Sequence, residues 1–371
     1  MVVKSLEWAI VKSVLNMVIT NLNLYSFRNH QSLEATFVKG LNVLVGPNGA
    51  GKTNIVEAIH MLGFASSFRT RDSAVIVKKE QAKAHIEATI NLPHKAVVEF
   101  DITAKSKIIT VNGKILRKTS ELNRLFNLTT FMPEDVFFFD REPKNRRKFL
   151  DERISKDSEL YLMALIAYEK LLKERNALLK NESQDERLTI VTEQLVKEAE
   201  KIVLERQKYT KRLETVLNKV MGQLNTTTMM VTLKYLPSLK PGARFKEEAL
   251  KLFKESEKRE KVLQTTTLGP HRDDLTATLL GKDVKDHASQ GQKRLIAICL
   301  KIAPYFIELD ANKKPVVILD DVLSELDDKH QERLIDLLNT MNQAFVTTTK
   351  YENYAAAIYD VSAGAINRRN I

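Results

Sequence analysis

Eight consecutive residues, Gly46-Pro47-Asn48-Gly49-Ala50-Gly51-Lys52-Thr53, have the types and order needed to hold a chain of phosphates. Glycines let the backbone curl until successive N–H groups converge on phosphate oxygens, and a helix starting at the loop's end adds its positive pole. Lys52 offers a cation for the β- and γ-phosphates, and the Thr53 hydroxyl a ligand for Mg²⁺. An apolar run at 41–45 precedes the loop and helix-like residues 54–63 follow it, as a site for ATP or GTP requires. A second chemical pair ends the apolar run Val316-Val317-Ile318-Leu319. There Asp320 can hold the Mg²⁺ shell through water, and Asp321 can polarise an attacking water. A third element, Ala288-Ser289-Gln290-Gly291-Gln292-Lys293-Arg294, stands before an apolar helix at 295–302. Ser289 suits an N-cap, and the N–H groups of that helix start could receive a second phosphate.

These groups need elements to position them. Residues 18–45 read as strands: Leu22 and Leu24 alternate with polar neighbours, as do Leu33, Ala35 and Phe37. Further strands are expected over 84–111, where Val111-Asn112-Gly113-Lys114 offers an Asn-Gly hairpin turn. From Pro143 to about Leu224 the chain lacks proline and, apart from Gly222, glycine. Leu188, Leu195, Ile202, Tyr209 and Val216 recur at sevens, one seam of a coiled coil, beside a poorer seam of Thr192, Ala199, Arg206, Leu213 and Val220. Two long antiparallel helices turning near 181–186 are expected, each about 50 Å long at 1.5 Å per residue. Strand character returns at 316–319 and 343–349. An α/β body interrupted by a helical insertion follows from this order.

Together the loop, the aspartate pair and the serine element resemble ABC-type ATPases. Residues 288–294 are similar to their L-S-G-G-Q signature, and Ser324-Glu325-Leu326-Asp327 to their D-loop. Within that superfamily, three stretches resemble the RecF family and SMC-type heads: Phe27-Arg28-Asn29, Gly269-Pro270-His271-Arg272-Asp273-Asp274-Leu275, and Pro133-Glu134-Asp135 followed by residues 143–151. The match departs at Phe138-Phe139 and at Arg141-Glu142, where Gly-Ser is usual. The resemblance implies a P-loop ABC-type ATPase head: a mixed α/β lobe at 17–132 and 265–371, and an inserted, mostly helical lobe at 133–264 with a short antiparallel helical pair. It implies ATP and Mg²⁺ as ligands, Arg28 beside the nucleotide, and Ser289, Gln290 and Gly291 capping ATP held by a second copy. ATP would then close a homodimer. Partners implied are double-stranded or junction DNA, RecR and RecO, and indirectly RecA, in recombinational repair. Asp321 stands where transporter ATPases carry a catalytic glutamate, and Thr347-Thr348-Thr349 where they carry a switch histidine. Both changes imply slow hydrolysis.

Bulk properties agree. The chain has 371 residues, 28% charged, with a net charge of +11 that suits a polyanionic partner. Basic clusters for DNA are Lys78 with Lys79; Lys105, Lys107, Lys114, Arg117 and Lys118; and Lys144 with Arg146, Arg147 and Lys148. Cys299 is the only cysteine, so no internal disulfide forms, and the seven histidines show no metal-cage spacing. No run of about 18 apolar residues is present, and Glu7 and Lys12 break the first 16 residues as a leader; Met17 is an alternative start. A cytoplasmic protein is expected. The competing readings are a transporter ATPase subunit, an SMC-type tether, for which an insertion of about 80 residues is too short, and a nucleotide-gated scaffold without useful hydrolysis.

Overall fold

The computed structural model describes residues 17–91, 95–181, 185–224, 229–350, 356–362 and 364–369. The elements run β1 (Val18–Phe27), β2 (His30–Thr36), β3 (Gly40–Val45), α1 (Lys52–Phe64), β4 (Lys83–Asn91), β5 (Lys95–Thr103), β6 (Lys107–Val111), β7 (Lys114–Ile115), α2 (Thr119–Leu125) and β8 (Leu128–Phe131). Then come α3 (Pro143–Asp157), α4 (Glu159–Leu178), α5 (Asp185–Leu224), β9 (Val231–Leu236), α6 (Phe245–Leu263), β10 (Asp274–Leu279), β11 (Lys282–Asp283), α7 (Val284–His287) and α8 (Gln290–Ile307). The chain closes with β12 (Val316–Leu319), α9 (Asp328–Asn339), β13 (Gln343–Thr348), β14 (Ala357–Ser362) and β15 (Ala365–Arg368). Two compact units result: Met1–Leu128 with Glu308–Asp320 and Leu338–Ile371, and Thr129–Ile307 with Asp321–Leu337.

The first unit holds two sheets. One is antiparallel, in the order β2-β1-β4-β5-β6-β7. Its strands β4 and β5 alternate buried and half-exposed residues along their length, so one face is core and the other faces water. Asn112 and Gly113 both take positive φ between β6 and β7, the type I′ geometry expected of Asn-Gly. The second sheet runs β15-β14-β3-β13-β12, with β3 parallel to both β13 and β14. Parallel strands buried on both faces read as continuous apolar runs, as β12 does, while β3 and β13 are equally buried but carry Asn42, Gln343, Thr347 and Thr348. Helix α1 contacts β1 of one sheet and β13 of the other, and its Ile55, Val56, Ile59 and Leu62 join their shared core. The buried Gln343 amide bonds the Ile19 backbone in both directions, at 2.8 Å each, and so ties the sheets together.

The second unit is built on α5, whose 40 residues span about 60 Å at 1.5 Å per residue. It pairs with α4 and also packs against α6, α8 and β9. The paired arm is shorter than expected from the sequence. Ser158 leaves helical geometry (φ −135°, ψ 111°) and caps α4 by accepting from the Tyr161 N–H, so the preceding arm is broken into α3 and α4. Of the expected turn, 182–184 lie outside the described residues, as do residues 1–16. The division also differs from the expected break at 264–265. Strand β9 pairs with β10 along its whole length and α8 packs on α5, so residues 265–307 join the helices rather than the α/β body. Among the described residues, no helix is long and apolar enough to cross a membrane.

Candidate nucleotide-binding site

Strand β3 delivers the loop. The Gly46 N–H still bonds the Thr348 carbonyl at 3.3 Å, and beyond it the chain must bend tightly. Gly46 lies so close to the Val361 carbonyl that a Cβ would collide with backbone. Gly51 has φ 107° and its open side is filled by the His30 ring, so both its handedness and its space demand glycine. Helix α1 then starts without a side-chain cap and without an acidic residue in its first turn. Its first N–H groups and positive pole are therefore available to an anion. Pro47, Asn48 and Gly49 are exposed at the loop's crest, while Ala50 is buried beneath it.

Lys52 is buried, and its ammonium donates to the loop's own carbonyls, 2.6 Å to Gly46 and 3.0 Å to Pro47. The Thr53 hydroxyl lies 3.2 and 3.1 Å from the two carboxylate oxygens of Asp320. Thr347 donates to the same carboxylate at 2.6 Å and fixes its plane. A hydroxyl and a carboxylate at this spacing are hard oxygen donors that suit Mg²⁺.

Arg28 takes a role that sequence alone does not suggest. Its guanidinium grips the fully buried Glu57 of α1 through Nε at 2.9 Å and through Nη2, and its Nη1 donates to the Val75 carbonyl at 3.0 Å. Glu57 also accepts from Ser67 Oγ at 2.5 Å. The half-exposed cation beside this pair is Arg69, whose Nη1 donates to Asn54 at 2.9 Å and lies 3.8 Å from Glu57. His30 escapes a sequence reading as well. Fully buried, its ring lies 3.3 Å from the Gly51 carbonyl on one side and 3.3 Å from the Gly364 carbonyl on the other. The available signal is Glu57 itself, an acid inside the apolar run of α1.

Ser289, Gln290, Gly291 and Asp321 belong to the second unit. The first three are exposed at the start of α8. Ser289 Oγ accepts from the Gln292 N–H at 3.2 Å while the Gln292 side chain accepts from the Ser289 N–H at 2.9 Å, a reciprocal capping box. Lys293 is held by Asp140 at 2.9 Å. Asp321 has a left-handed backbone, φ 48°, and its carbonyl accepts from Ser324 Oγ at 3.1 Å.

Of the basic clusters, the hairpin residues Lys105, Lys107, Lys114, Arg117 and Lys118 are exposed, and Lys107 also donates to the Ala65 carbonyl at the C-terminal end of α1. Arg146 and Arg147 are turned inward. Arg146 pairs with Asp274 through two bonds of 2.7 and 2.9 Å, and Arg147 donates to the Asp273 carbonyl at 2.7 Å. Only Lys144 and Lys148 of that cluster face solvent.

The sequence matches the family described as the RecF/RecN/SMC N terminal domain over residues 18–370. The DNA replication and repair protein RecF of Shouchella clausii is 34% identical over 371 residues, covering 95% of this chain and 100% of its own. That of Bacillus subtilis is 35% identical over 374 residues, covering 94% and 100%. The solved structure of the recombination mediator protein RecF with ATP, in the RecFOR pathway, matches with a TM-score of 0.87 at 28% identity, over 97% of this chain and 100% of its own. The Smc head domain of Pyrococcus furiosus shares the fold, with a TM-score of 0.57 at 16% identity over 95% and 96%. Alike in sequence along its whole length and in fold, the chain belongs to the RecF family of the RecF/RecN/SMC proteins.

Proposed function

We propose that this chain binds ATP at the loop of residues 46–53 and uses it to close a homodimer on DNA. The observation that carries the reading is the uncapped, acid-free start of α1 above the Thr53–Asp320 pair. Loop N–H groups would receive the phosphates, and Lys52 would exchange its two carbonyls for phosphate oxygens, a stronger charge-assisted bond. Thr53, and Asp320 through water, would hold Mg²⁺, which supplies charge neutralisation at the phosphates. Arg28 and Glu57 would brace α1 rather than touch the nucleotide. Ser289, Gln290 and Gly291, at the start of α8, would meet the γ-phosphate on a partner copy.

Asp321 would orient the attacking water, but with a carboxylate one methylene short and threonines in place of a switch histidine. Turnover would be slow and suited to a timed clamp. The substrate would be gapped or junction DNA, and RecO and RecR would be partners that help load RecA; relatives named as a DNA replication and repair protein and as a recombination mediator in the RecFOR pathway support this reading. The exposed hairpin cations Lys105, Lys114, Arg117 and Lys118 would contact phosphates without reading sequence.

Light scattering with and without ATP and Mg²⁺, alongside a Ser289→Arg variant, tests this. ATP is expected to convert monomer to dimer, and the variant to bind ATP yet stay monomeric. If ATP binds and the mass never changes, with or without DNA, the clamp reading fails and a P-loop ATPase of other purpose remains.

A further inference from the structure

The water-facing side of the antiparallel sheet carries a second set of chemical groups. In the register of β4 and β5, Glu87 stands opposite Glu99 and His85 opposite Asp101. His85, Glu87 and Glu99 each bring one ligand atom within 4.8 Å of the others, and all three are half-buried. Carboxylates directly opposite one another repel, and among the described residues neither glutamate has an ion-pair partner.

Each donor is oriented by a neighbour outside the trio. Asn23 of β1 donates to Glu87 Oε1 at 3.0 Å, leaving Oε2 to the cluster. Thr110 of β6 donates to Glu99 Oε2 at 2.7 Å, leaving Oε1. His85 Nδ1 pairs with Asp101 at 3.0 Å, leaving Nε2. A carboxylate behind an imidazole, fixing its ring and tautomer, is the usual support of a metal-bound histidine.

We propose that His85, Glu87 and Glu99 form a binding site for a divalent first-row transition ion, with zinc the best match. One imidazole with two carboxylates suits zinc, whereas calcium and magnesium take oxygen donors alone. Three protein donors leave a fourth position for water or an outside ligand. Zinc bonds of about 2.1 Å set tetrahedral edges of about 3.4 Å, so donors within 4.8 Å of one another need draw together by at most about 1.4 Å, which side-chain rotation on a solvent face supplies. The ion would bridge β4 to β5 and offset the repulsion between the glutamates.

Zinc chloride titrated into the full chain, stripped with EDTA and dialysed, tests the site by calorimetry and by melting temperature. The variants are His85→Ala, Glu87→Gln/Glu99→Gln, Thr110→Val and Asp320→Asn, with ATP binding by the first three as the check on folding. One zinc per chain is expected at micromolar concentration. Its affinity falls at least tenfold in the first two variants and about tenfold in Thr110→Val, and it is kept in Asp320→Asn. Zinc raises the melting temperature only where the affinity is kept. In EDTA, Glu87→Gln/Glu99→Gln melts no lower than the parent, because a like-charge pair is gone. An isotherm for His85→Ala that superposes on the parent's, or zinc lost in Asp320→Asn but retained in His85→Ala, overturns the assignment.

Discussion

The phosphate loop of the first unit and the interior of the second use charge in opposite ways. In the first, the groups at the phosphate loop are held by exchangeable partners: Lys52 on two backbone carbonyls, Thr53 on Asp320, and a helix start that no side chain caps. In the second, charges are buried against one another. Arg206 spans Asp151 through two bonds of 3.0 Å and the Pro270 carbonyl at 2.7 Å, while Asp151 also accepts from Tyr161 at 2.5 Å. Arg175 and Glu260, both fully buried, lie 2.7 Å apart; Thr192 and Thr266 complete the arginine, and the Phe253 ring stacks 4.6 Å from its centre. A group kept for a ligand is left with partners it can give up. A group kept for structure is surrounded.

The largest effect should come from stranding a charge in the second unit. Arg175→Met leaves Glu260 buried and unpaired, and is expected to cost about 3–5 kcal/mol of stability in urea unfolding. Adding Glu260→Leu should restore most of it; a double variant as unstable as the single would show that packing, not charge, sets the cost.

Next is acid. Burial holds the His271 imidazole down at about 4, neutral between the Tyr168 hydroxyl at 2.7 Å and the Thr266 carbonyl at 3.1 Å. The unfolded chain titrates near 6.5 and so takes up the proton first. Stability from this residue is complete above about pH 6.5 and is lost as pH falls towards 4, by at most about 3 kcal/mol. A His271→Asn variant should flatten that part of the stability–pH curve, and an unchanged slope would remove His271 from the account.

Breaking the first unit's arrangement should read out in binding instead. Lys52→Ala is expected to lose at least about tenfold in ATP affinity, roughly 1.4 kcal/mol. Its thermal stability without nucleotide should move by less than about 1 kcal/mol, the typical net worth of hydrogen bonds such as those to Gly46 and Pro47. The smallest effect belongs to Lys148, whose exposed pair with Glu152 at 3.5 Å should contribute under about 0.5 kcal/mol to melting. If Lys148→Ala leaves DNA affinity and its salt dependence unchanged as well, that cluster is surface and nothing more.

The sequence is most informative where backbone geometry or period demands particular residues. Gly46, Gly51, the Asn112-Gly113 turn and the heptad run of α5 are legible in the residues alone. The poorer seam of α5 is less so, because its composition hides its burial. Thr192, Ala199, Arg206, Leu213 and Val220 are all buried there. Arg206 looks like a surface residue only until Asp151 and the motif at 269–275 close around it, and those contacts join residues 55 and 64 positions away. The same blindness applies to Arg28 and to Arg146. A one-dimensional pattern shows a cation but not the buried carboxylate that claims it.

Asp321 joins backbone shape to side-chain reach. Its left-handed φ of 48° is cheap for glycine, asparagine and aspartate, and costs most other residues about 1–2 kcal/mol. A glutamate would recover the missing methylene of reach, but at the expense of the turn that carries it. Lengthening this carboxylate therefore carries a backbone cost. In the proposed clamp, faster hydrolysis would first require the backbone to relax, so its tempo would rest partly on the hand of one peptide turn.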